Sequence, residues 1–298
     1  MIKNASSLSE VVQELFGVDV LHQHHVAGGD INETLVLELQ NRKKVFLKKN
    51  RHSPEGMFLA EALGLQKLLD AHKKSQGASP PSPRPFAVGK DGIFDFLLME
   101  HIDGGPAPSG EEFGHSLAQL HSWARRSTCG FDENNWIGLT PQINDEEDSW
   151  PHFFYEKRLL PQWRWVLNQG FSDSRAQKGM HYLEAHIDDV LPACDSGGAS
   201  LLHGDLWGGN WISGNSGTAW LVDPACYYGH READMAMTEL FGGFPPGFAQ
   251  GYQNAWPLEQ GFRERKNLYN LYHLLNHVNL FGASYWGAAV QTLGKYGS

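Results

Sequence analysis

An aspartate, an asparagine and a second aspartate stand at spacings that suit phosphoryl transfer. Asp205 and Asn210 lie in the segment His203-Gly-Asp-Leu-Trp-Gly-Gly-Asn210, and Asp223 follows a predicted hairpin. Phosphoryl transfer needs a carboxylate that orients and deprotonates the attacking hydroxyl, oxygen ligands for magnesium, and a cation on the ATP phosphates. Carboxylate and carboxamide oxygens are hard ligands that suit magnesium rather than zinc. The order of these residues therefore predicts an ATP- and magnesium-dependent phosphotransferase.

The cation that this chemistry requires is predicted at Lys48. This lysine ends a predicted strand, and Glu61 on the next predicted helix could pair with it. Lys49 is an alternative only if the strand register is shifted by one residue, because neighbours on a strand face opposite sides.

A glycine-containing turn joins the first two predicted strands, and the strand of Lys48 is the third. The turn spans Ala27–Asn32, and we expect the backbone N–H groups around Gly28 and Gly29 to lie over the phosphates. The two glycines match neither a Rossmann nor a Walker pattern, so the expectation depends on the position of the turn alone.

The elements that position these residues predict an α+β protein with two lobes. Residues 1–100 are expected to form a small antiparallel β-sheet with one key helix, and residues 101–298 a larger, mainly helical lobe that follows a linker at Glu100–Pro106. Helices are predicted at Ser7–Phe16, Met57–Leu69, Phe113–Trp123, Trp150–Gln169, Gln177–Leu191, Arg231–Leu240, Phe248–Ala255 and Phe262–Phe281. Strands are predicted at His22–Val26, Thr34–Leu39, Lys44–Lys48, Phe86–Val88 and Phe94–Met99, and a hairpin at Trp211–Ser213 and Ala219–Val222.

Composition excludes several classes of partner. The 298 residues carry a formal net charge of −10, which disfavours nucleic acid and anionic membranes because both need a basic face. The three cysteines contain no CxxC pair, so a disulfide framework or a structural zinc site is not expected. No window reaches the length of a membrane span. We therefore expect a cytoplasmic protein that is a monomer or a weak dimer.

With these residues in place, the chain resembles the fructosamine/ketosamine kinase family, within the aminoglycoside-phosphotransferase-like branch of the protein-kinase-like fold. The resemblance covers nearly the whole chain. It is strongest at residues 203–210 and 223–244, with supporting matches at 135–142, 158–162 and 271–282.

The resemblance implies an enzyme that phosphorylates a sugar hydroxyl of ribulosamine- or fructosamine-type ketosamines, free or protein-linked, after which the ester breaks down and frees the amine. By motif, Asp205 would be the base, Asn210 and Asp223 the magnesium ligands, and Lys48 with Glu61 the phosphate-holding pair. Glu100 and Ile102 would offer backbone groups to the adenine, and Asp234 would be structural.

Several neighbouring residues need separate interpretation. Gly208 replaces the usual serine of the motif, which would loosen the loop. Trp207 either stacks on the substrate or packs in the fold, whereas Trp220 alternates with strand residues and is expected in the core. His273 and His277 are four apart on a helix, and we expect a packed or hydrogen-bonded face rather than a metal site.

Three alternatives remain open from the sequence. The first keeps the chemistry and changes the acceptor to an aminoglycoside, choline or another metabolite. The second is a non-catalytic pseudokinase, against which the intact Asp205, Asn210, Asp223 and Lys48 argue. The third is a metal-dependent hydrolase built on His203 and Asp205, for which further ligands at zinc spacing are lacking.

Overall fold

The first 100 residues fold into a sheet with two helices. In the computed structural model, which describes residues 2–26 and 31–297, this part contains eight elements. They are β1 (Lys3–Ala5), α1 (Leu8–Phe16), β2 (Val20–His25), β3 (Glu33–Leu39), β4 (Lys44–Asn50), α2 (Met57–Lys74), β5 (Pro85–Asp91) and β6 (Phe94–Glu100).

The sheet is mixed rather than antiparallel throughout. Its strand order is β1-β5-β6-β4-β3-β2, and every adjacent pair is antiparallel except β1 and β5, which run parallel. The predicted five strands are present, but β1 is a sixth that the sequence did not reveal. Its three residues are too short to show the alternation of apolar and polar side chains that marks a strand.

The register of β4 explains why Lys48 rather than Lys49 reaches the interior. Leu47 pairs with Leu98, and both lie in the apolar cluster covered by α1. Lys48 pairs with Leu97, which belongs to the cluster on the opposite face, beneath α2. Because successive side chains of a strand point to opposite faces, Lys48 emerges on the face where α2 lies.

The remainder of the chain is mainly helical. Its helices are α3 (Gly110–Trp123), α4 (Trp150–Phe153), α5 (Leu160–Asn168), α6 (Ser174–Val190), α7 (Glu232–Leu240), α8 (Phe248–Ala255), α9 (Phe262–Phe281) and α10 (Trp286–Gly294). Short strands lie between them: β7 (Arg125–Arg126), β8 (Asn135–Ile137), β9 (Thr140–Gln142), β10 (Ala199–Leu202), β11 (Trp211–Ser213), β12 (Ala219–Leu221) and β13 (Tyr227–Gly229). Their apolar side chains form one large core, which also receives Leu68 and Ala71 of α2. The α+β class predicted from the sequence is confirmed.

The helix predicted over Trp150–Gln169 is interrupted. Between α4 and α5 the chain makes a π-helical segment, Phe154–Leu159, and Pro161 stands in the first turn of α5. Proline has no N–H, so it cannot donate to the carbonyl four residues earlier, which belongs to Lys157. The guanidinium of Arg158 donates to that carbonyl instead, at 3.0 Å. The prediction of a single regular helix was therefore wrong at this point.

The predicted hairpin is present and fixes the ends of the candidate loop. Strands β11 and β12 pair antiparallel, with Trp211 opposite Leu221. The segment 203–210 joins β10 to β11, and Asp223 follows β12. Across residues 2–26 and 31–297, the helices include none with the length and apolar character that a bilayer crossing demands.

Candidate active site

Asp205 and Asn210 are joined within their own loop. The Nδ2 group of Asn210 donates to the backbone carbonyl of Asp205 at 2.8 Å and to its Oδ2 at 3.0 Å. The N–H of Asn210 donates to the carbonyl of Trp207 at 3.0 Å. These bonds orient the amide nitrogen of Asn210 toward Asp205, so its Oδ1 atom remains as the oxygen that a cation could bind.

Two further residues hold the start of this loop. The carboxylate of Asp234 accepts from the backbone N–H of His203 at 2.7 Å and of Gly204 at 2.9 Å. Gly204 has φ +83°, and a Cβ atom there would lie 2.0 Å from the carbonyl oxygen of Ala225, so only glycine fits. Asp234 thus contacts the backbone of the loop, as expected for a structural aspartate.

The imidazole of His203 completes the support of Asp205. It donates through Nε2 to the carbonyl of Val222 at 2.8 Å, and its Nδ1 accepts from the N–H of Asp205 at 3.3 Å. One side chain therefore ties the loop to the segment that leads into Asp223.

Lys48 meets Glu61, the partner that the sequence suggested, and it also meets Asp223. Its Nζ lies 2.7 Å from Glu61 Oε1, and it also contacts Asp223 Oδ1. Burial alone would lower the pKa of Lys48, but the negative charges of Asp223 and Glu61 outweigh it and raise that pKa. The ammonium group is therefore charged. Lys49 points elsewhere and pairs with Glu33 at 3.2 Å.

Asp223 has an unusual backbone conformation. Its φ is +55°, in the left-handed region that residues other than glycine, asparagine and aspartate seldom adopt. Such a conformation costs of the order of 1–3 kcal/mol and persists where the surroundings determine it. Here it directs the Asp223 carboxylate toward Lys48 at the end of the hairpin.

A cavity of about 840 Å³ is lined by the predicted site residues that the structure describes. Its lining includes Lys48, Glu61, Glu100, Ile102, Asp205, Trp207, Asn210 and Asp223. Gly28 and Gly29 lie outside the described residues. Glu100 ends β6, where its N–H donates to the carbonyl of Arg84 at 2.9 Å, and Ile102, two residues later, also lines the cavity.

Burial changes the acidity of Asp205. It raises the pKa of this carboxyl to about 7, assisted by the charges of Asp223 and Asp234 and opposed by the hydrogen bond from Asn210. A carboxylate with a pKa near the working pH is well suited to accept a proton. The arrangement can therefore deprotonate a hydroxyl group beside a charged lysine and a pair of oxygen ligands.

Comparison with known proteins decides the family. The model of the family described as fructosamine kinase matches residues 3–297. The chain belongs to the fructosamine kinase family.

Individual relatives agree with this assignment. A protein of Vibrio parahaemolyticus named a probable ketoamine kinase is 37% identical over 286 residues, which is 94% of each chain. The chloroplastic protein-ribulosamine 3-kinase of Arabidopsis thaliana is 37% identical over 279 residues, 91% of this chain and 81% of the relative. A crystal structure assigned as a fructosamine-3-kinase of Haemophilus somnus has a TM-score of 0.83 and 31% identity, covering 97% of this chain and 96% of its own. The predicted two-lobed kinase-like fold and the prediction of a ketosamine kinase type of phosphotransferase are thereby confirmed.

Within this family member, the two tryptophans near the motif differ in environment. Trp207 is 39% exposed, lines the cavity and meets the ring of Phe241 edge-on at 6.5 Å. Trp220 is half-buried on β12 and its ring lies against Gly214, outside the apolar core. The expectation of core packing for Trp220 was wrong, because a two-stranded hairpin leaves one of its faces uncovered.

The effect expected of Gly208 is also wrong. Its N–H donates to the carbonyl of Gly242 at 3.1 Å, and a Cβ atom at Gly208 would lie 2.7 Å from the Cα of Gly243. The missing side chain therefore lets two segments pack closely instead of loosening the loop.

Sequence reasoning missed one wall of the cavity. Its residues come from the end of α7 and from α9 and the turn that follows it: Phe241, Asn276, His277, Leu280, Phe281 and Tyr285. The resemblance at residues 271–282 was the available signal, but it assigned no role. His277 was expected on a hydrogen-bonded helix face, and its Nδ1 does contact the carbonyl of His273 at 2.8 Å.

Proposed function

We propose that this protein transfers the γ-phosphoryl group of ATP to a sugar hydroxyl of a ketosamine, an early step in removing the sugar from a glycated amine. The observation that carries the proposal is the meeting of Asp205, Asn210, Asp223 and Lys48 around one cavity in a chain of the fructosamine kinase family. The names of its relatives, a probable ketoamine kinase and a protein-ribulosamine 3-kinase, support this acceptor class over aminoglycosides or choline.

We propose Asp205 as the base that accepts the proton of the acceptor hydroxyl. It is half-buried at the cavity, and its pKa of about 7 leaves a large share of it ionised at neutral pH. The loop bonds from Asn210, His203 and Asp234 hold this carboxylate in place, which supports catalysis by positioning.

Lys48 is proposed to hold the α- and β-phosphates. Its charge is already compensated by Glu61 and Asp223, so an incoming phosphate can take the place of Asp223 while Glu61 keeps the lysine oriented. We further propose that the adenine lies beside Glu100 and Ile102, between the lobes formed by residues 1–100 and 101–298, with Gly28 and Gly29 over the phosphates.

The residues present fit a magnesium ion. The amide orientation of Asn210 leaves its Oδ1 available, and Asp223 supplies carboxylate oxygens, so the donor set consists of hard oxygen atoms. Bound there, magnesium would supply positive charge to the nucleotide phosphates. Trp207, exposed at the cavity, is proposed to stack against the acceptor.

We also propose a cytoplasmic monomer or weak dimer. The three cysteines are free, which fits a reducing compartment.

A coupled ATPase assay with ribulosamine, fructosamine and aminoglycoside acceptors tests the proposal. We expect turnover with at least one ketosamine, free or linked to a protein. Turnover with the aminoglycoside alone would contradict the proposed acceptor.

Replacement of the base tests the mechanism. We expect Asp205→Asn to lower kcat by about 10²- to 10⁴-fold, because general-base catalysis contributes about that much. Asp188→Asn removes an exposed carboxylate on α6 and serves as the matched control. Binding of the nucleotide, followed by calorimetry, should persist in both variants; an Asp205→Asn enzyme with unchanged kcat would refute the assignment.

A further inference from the structure

A buried histidine lies behind the proposed base. His273 of α9 is 4% exposed, and its Nδ1 atom stands 3.7 Å from Oδ1 of Asp205. Within the part of the chain that the structure describes, this Nδ1 has no hydrogen-bond partner at bonding distance. A buried polar atom without a partner costs about 1–3 kcal/mol, so its position beside a reactive carboxylate calls for an explanation.

The imidazole is neutral. Burial lowers the pKa of His273 to about 3, with further lowering from His277 and from the charge of Arg158. A neutral imidazole carries one N–H and one acceptor nitrogen. Nδ1 lies 3.7 Å from Oδ1 of the Asp205 carboxylate, and an ionised carboxylate only accepts, so the tautomer with the proton on Nδ1 provides a donor facing Oδ1.

The two oxygens of Asp205 then have different neighbours. Oδ2 accepts from Nδ2 of Asn210 at 3.0 Å, whereas Oδ1 faces His273. A gap of 3.7 Å exceeds a normal N–H···O bond by roughly 0.5 Å or more. Hydrogen bonds of catalytic groups are often long in ligand-free enzymes and tighten when substrate is bound.

Helix α9 is anchored so that it presents His273 at this place. The neighbouring Tyr272 hydroxyl donates to Gln142 Oε1 at 2.8 Å, and Arg265 near the start of the helix pairs with Glu232 of α7. Both contacts are buried or partly buried. The helix therefore has little freedom to move His273 away from Asp205.

We propose that His273 is a positioning residue for Asp205. Its Nδ1–H donates to Oδ1 when the acceptor is bound and, with Asn210 on the other oxygen, holds the carboxylate plane in the orientation that receives the hydroxyl proton. This inference rests on the proposed function, because it takes Asp205 as the base.

Three variants at one position test the role. Asparagine places an amide N–H close to the position of Nδ1, glutamine places it about one bond farther out, and leucine offers no donor. We expect His273→Asn to keep kcat within about threefold and His273→Leu to lose about 10- to 100-fold, the scale of a misplaced catalytic group. His273→Gln should fall between them, and the KM values for ATP and acceptor should stay within about twofold.

The pattern separates positioning from packing. If His273 were merely structural, His273→Asn would lower kcat at least as much as His273→Leu, because asparagine fills the site less well and is polar. Equal kcat values for these two variants, or a lower kcat for His273→Asn, would therefore overturn the inference. If the leucine variant does not fold, the comparison of asparagine with glutamine keeps the test, and equal kcat values in that pair would overturn it as well.

A second comparison uses the base itself. In an Asp205→Asn background, replacing His273 with leucine should cost little further kcat, because the group that it positions is gone. A full additional loss would contradict the role. If the unmodified enzyme phosphorylated no ketosamine, the proposed function would be refuted. If it phosphorylated a ketosamine and the His273 variants had the same kcat, only the role of His273 would be refuted.

Discussion

Gly208 shows how one missing side chain shapes the loop that carries Asp205. A Cβ atom at this position would lie 2.6 Å from the carbonyl oxygen of Gly242 and 2.7 Å from the Cα of Gly243. A Cβ at Gly243 would in turn lie 2.7 Å from the Cα of Gly208. Two backbones are therefore in direct contact, three residues along the chain from Asp205.

We predict that Gly208→Ser lowers both stability and activity. The added Cβ must push residues 242–243 away, and overpacking of this kind costs about 1–3 kcal/mol in unfolding free energy. Urea denaturation measures the stability, and kcat should fall because the loop that carries Asp205 shifts.

Gly287→Ser is the matched control for this substitution. Gly287 lies on α10, where a Cβ atom would meet no heavy atom within 4 Å. Serine there should leave kcat unchanged. If Gly208→Ser behaved like the control, the close packing of the two backbones would have no functional consequence.

At the scale of residues, spacing predicted which side chains lie close together where one segment carries the signal. Asp205, Asn210 and Asp223 share a loop and a hairpin, so their order along the chain implies their proximity. To predict that Lys48 rather than Lys49 faces the same cavity, only the two-residue period of a strand was needed in addition. His273 could not be assigned in this way, because its contact with Asp205 depends on the packing of α9, which lies outside the motif.

At the scale of elements, α9 supplies both His273 and much of the cavity wall, and ion pairs join it to α7, Arg265 with Glu232 and Lys266 with Glu239. Arg265 of α9 donates through Nε to Glu232 Oε2 at 2.8 Å. The Glu232 side chain is fully buried, whereas that of Arg265 is 13% exposed. The hydrogen bond that Arg265 donates to Glu232 raises the pKa of Arg265.

We predict that Arg265→Met destabilises the protein by about 3–5 kcal/mol, because it leaves the charge of Glu232 buried without its partner. The free energy of unfolding in urea gives the measurement. A double variant, Arg265→Met with Glu232→Gln, should recover part of the loss. Equal stability of the single variant and the unmodified protein would show that the pair contributes nothing to holding α9.

Elements were predictable where their own sequence determines them. The hairpin β11–β12 and the long helix α9 follow from local turn chemistry and apolar spacing. Two differences have identifiable causes: Pro161 interrupts the i→i−4 bonding of the helix predicted over Trp150–Gln169, and β1 is stabilised by its pairing with β5, a partner more than 80 residues away. Pairing between distant segments leaves no periodic trace in a three-residue strand.

At the scale of the whole molecule, buried histidines link stability to pH. Burial lowers the pKa of His230 to about 3, with the charges of Arg231 and Arg265 adding to the effect and that of Asp195 opposing it. Burial likewise lowers the pKa of His273 to about 3. A histidine in the unfolded chain has a pKa of about 6.5. Between about pH 6.5 and pH 3 these histidines therefore bind protons in the unfolded chain but not in the folded protein. The stability from these neutral histidines is complete above about pH 6.5 and is lost as the pH falls.

Carboxyl groups with raised pKa values act in the opposite direction. The folded protein keeps a proton on Asp205 below about pH 7, whereas the unfolded chain releases it until about pH 4. This group therefore favours the folded state as the pH falls through that range. The total pH dependence contains both contributions, so a histidine is best isolated by comparing variants.

We predict that His230→Asn removes one histidine contribution from the pH dependence of stability. His230 lies away from the cavity residues, which makes it a cleaner probe than His273. Between about pH 6 and pH 4, the unfolding free energy of the unmodified protein should decrease relative to that of the variant by about 1.4 kcal/mol per pH unit. Urea denaturation at each pH measures both proteins, and His181→Asn, at an exposed histidine of α6, controls for the substitution itself. The two plots of unfolding free energy against pH should converge as the pH falls, because the unfolded chain binds a proton at His230 that the folded protein does not bind. If the plots for His230→Asn and the unmodified protein ran parallel, His230 would take up its proton in the folded state as well, which would contradict the prediction.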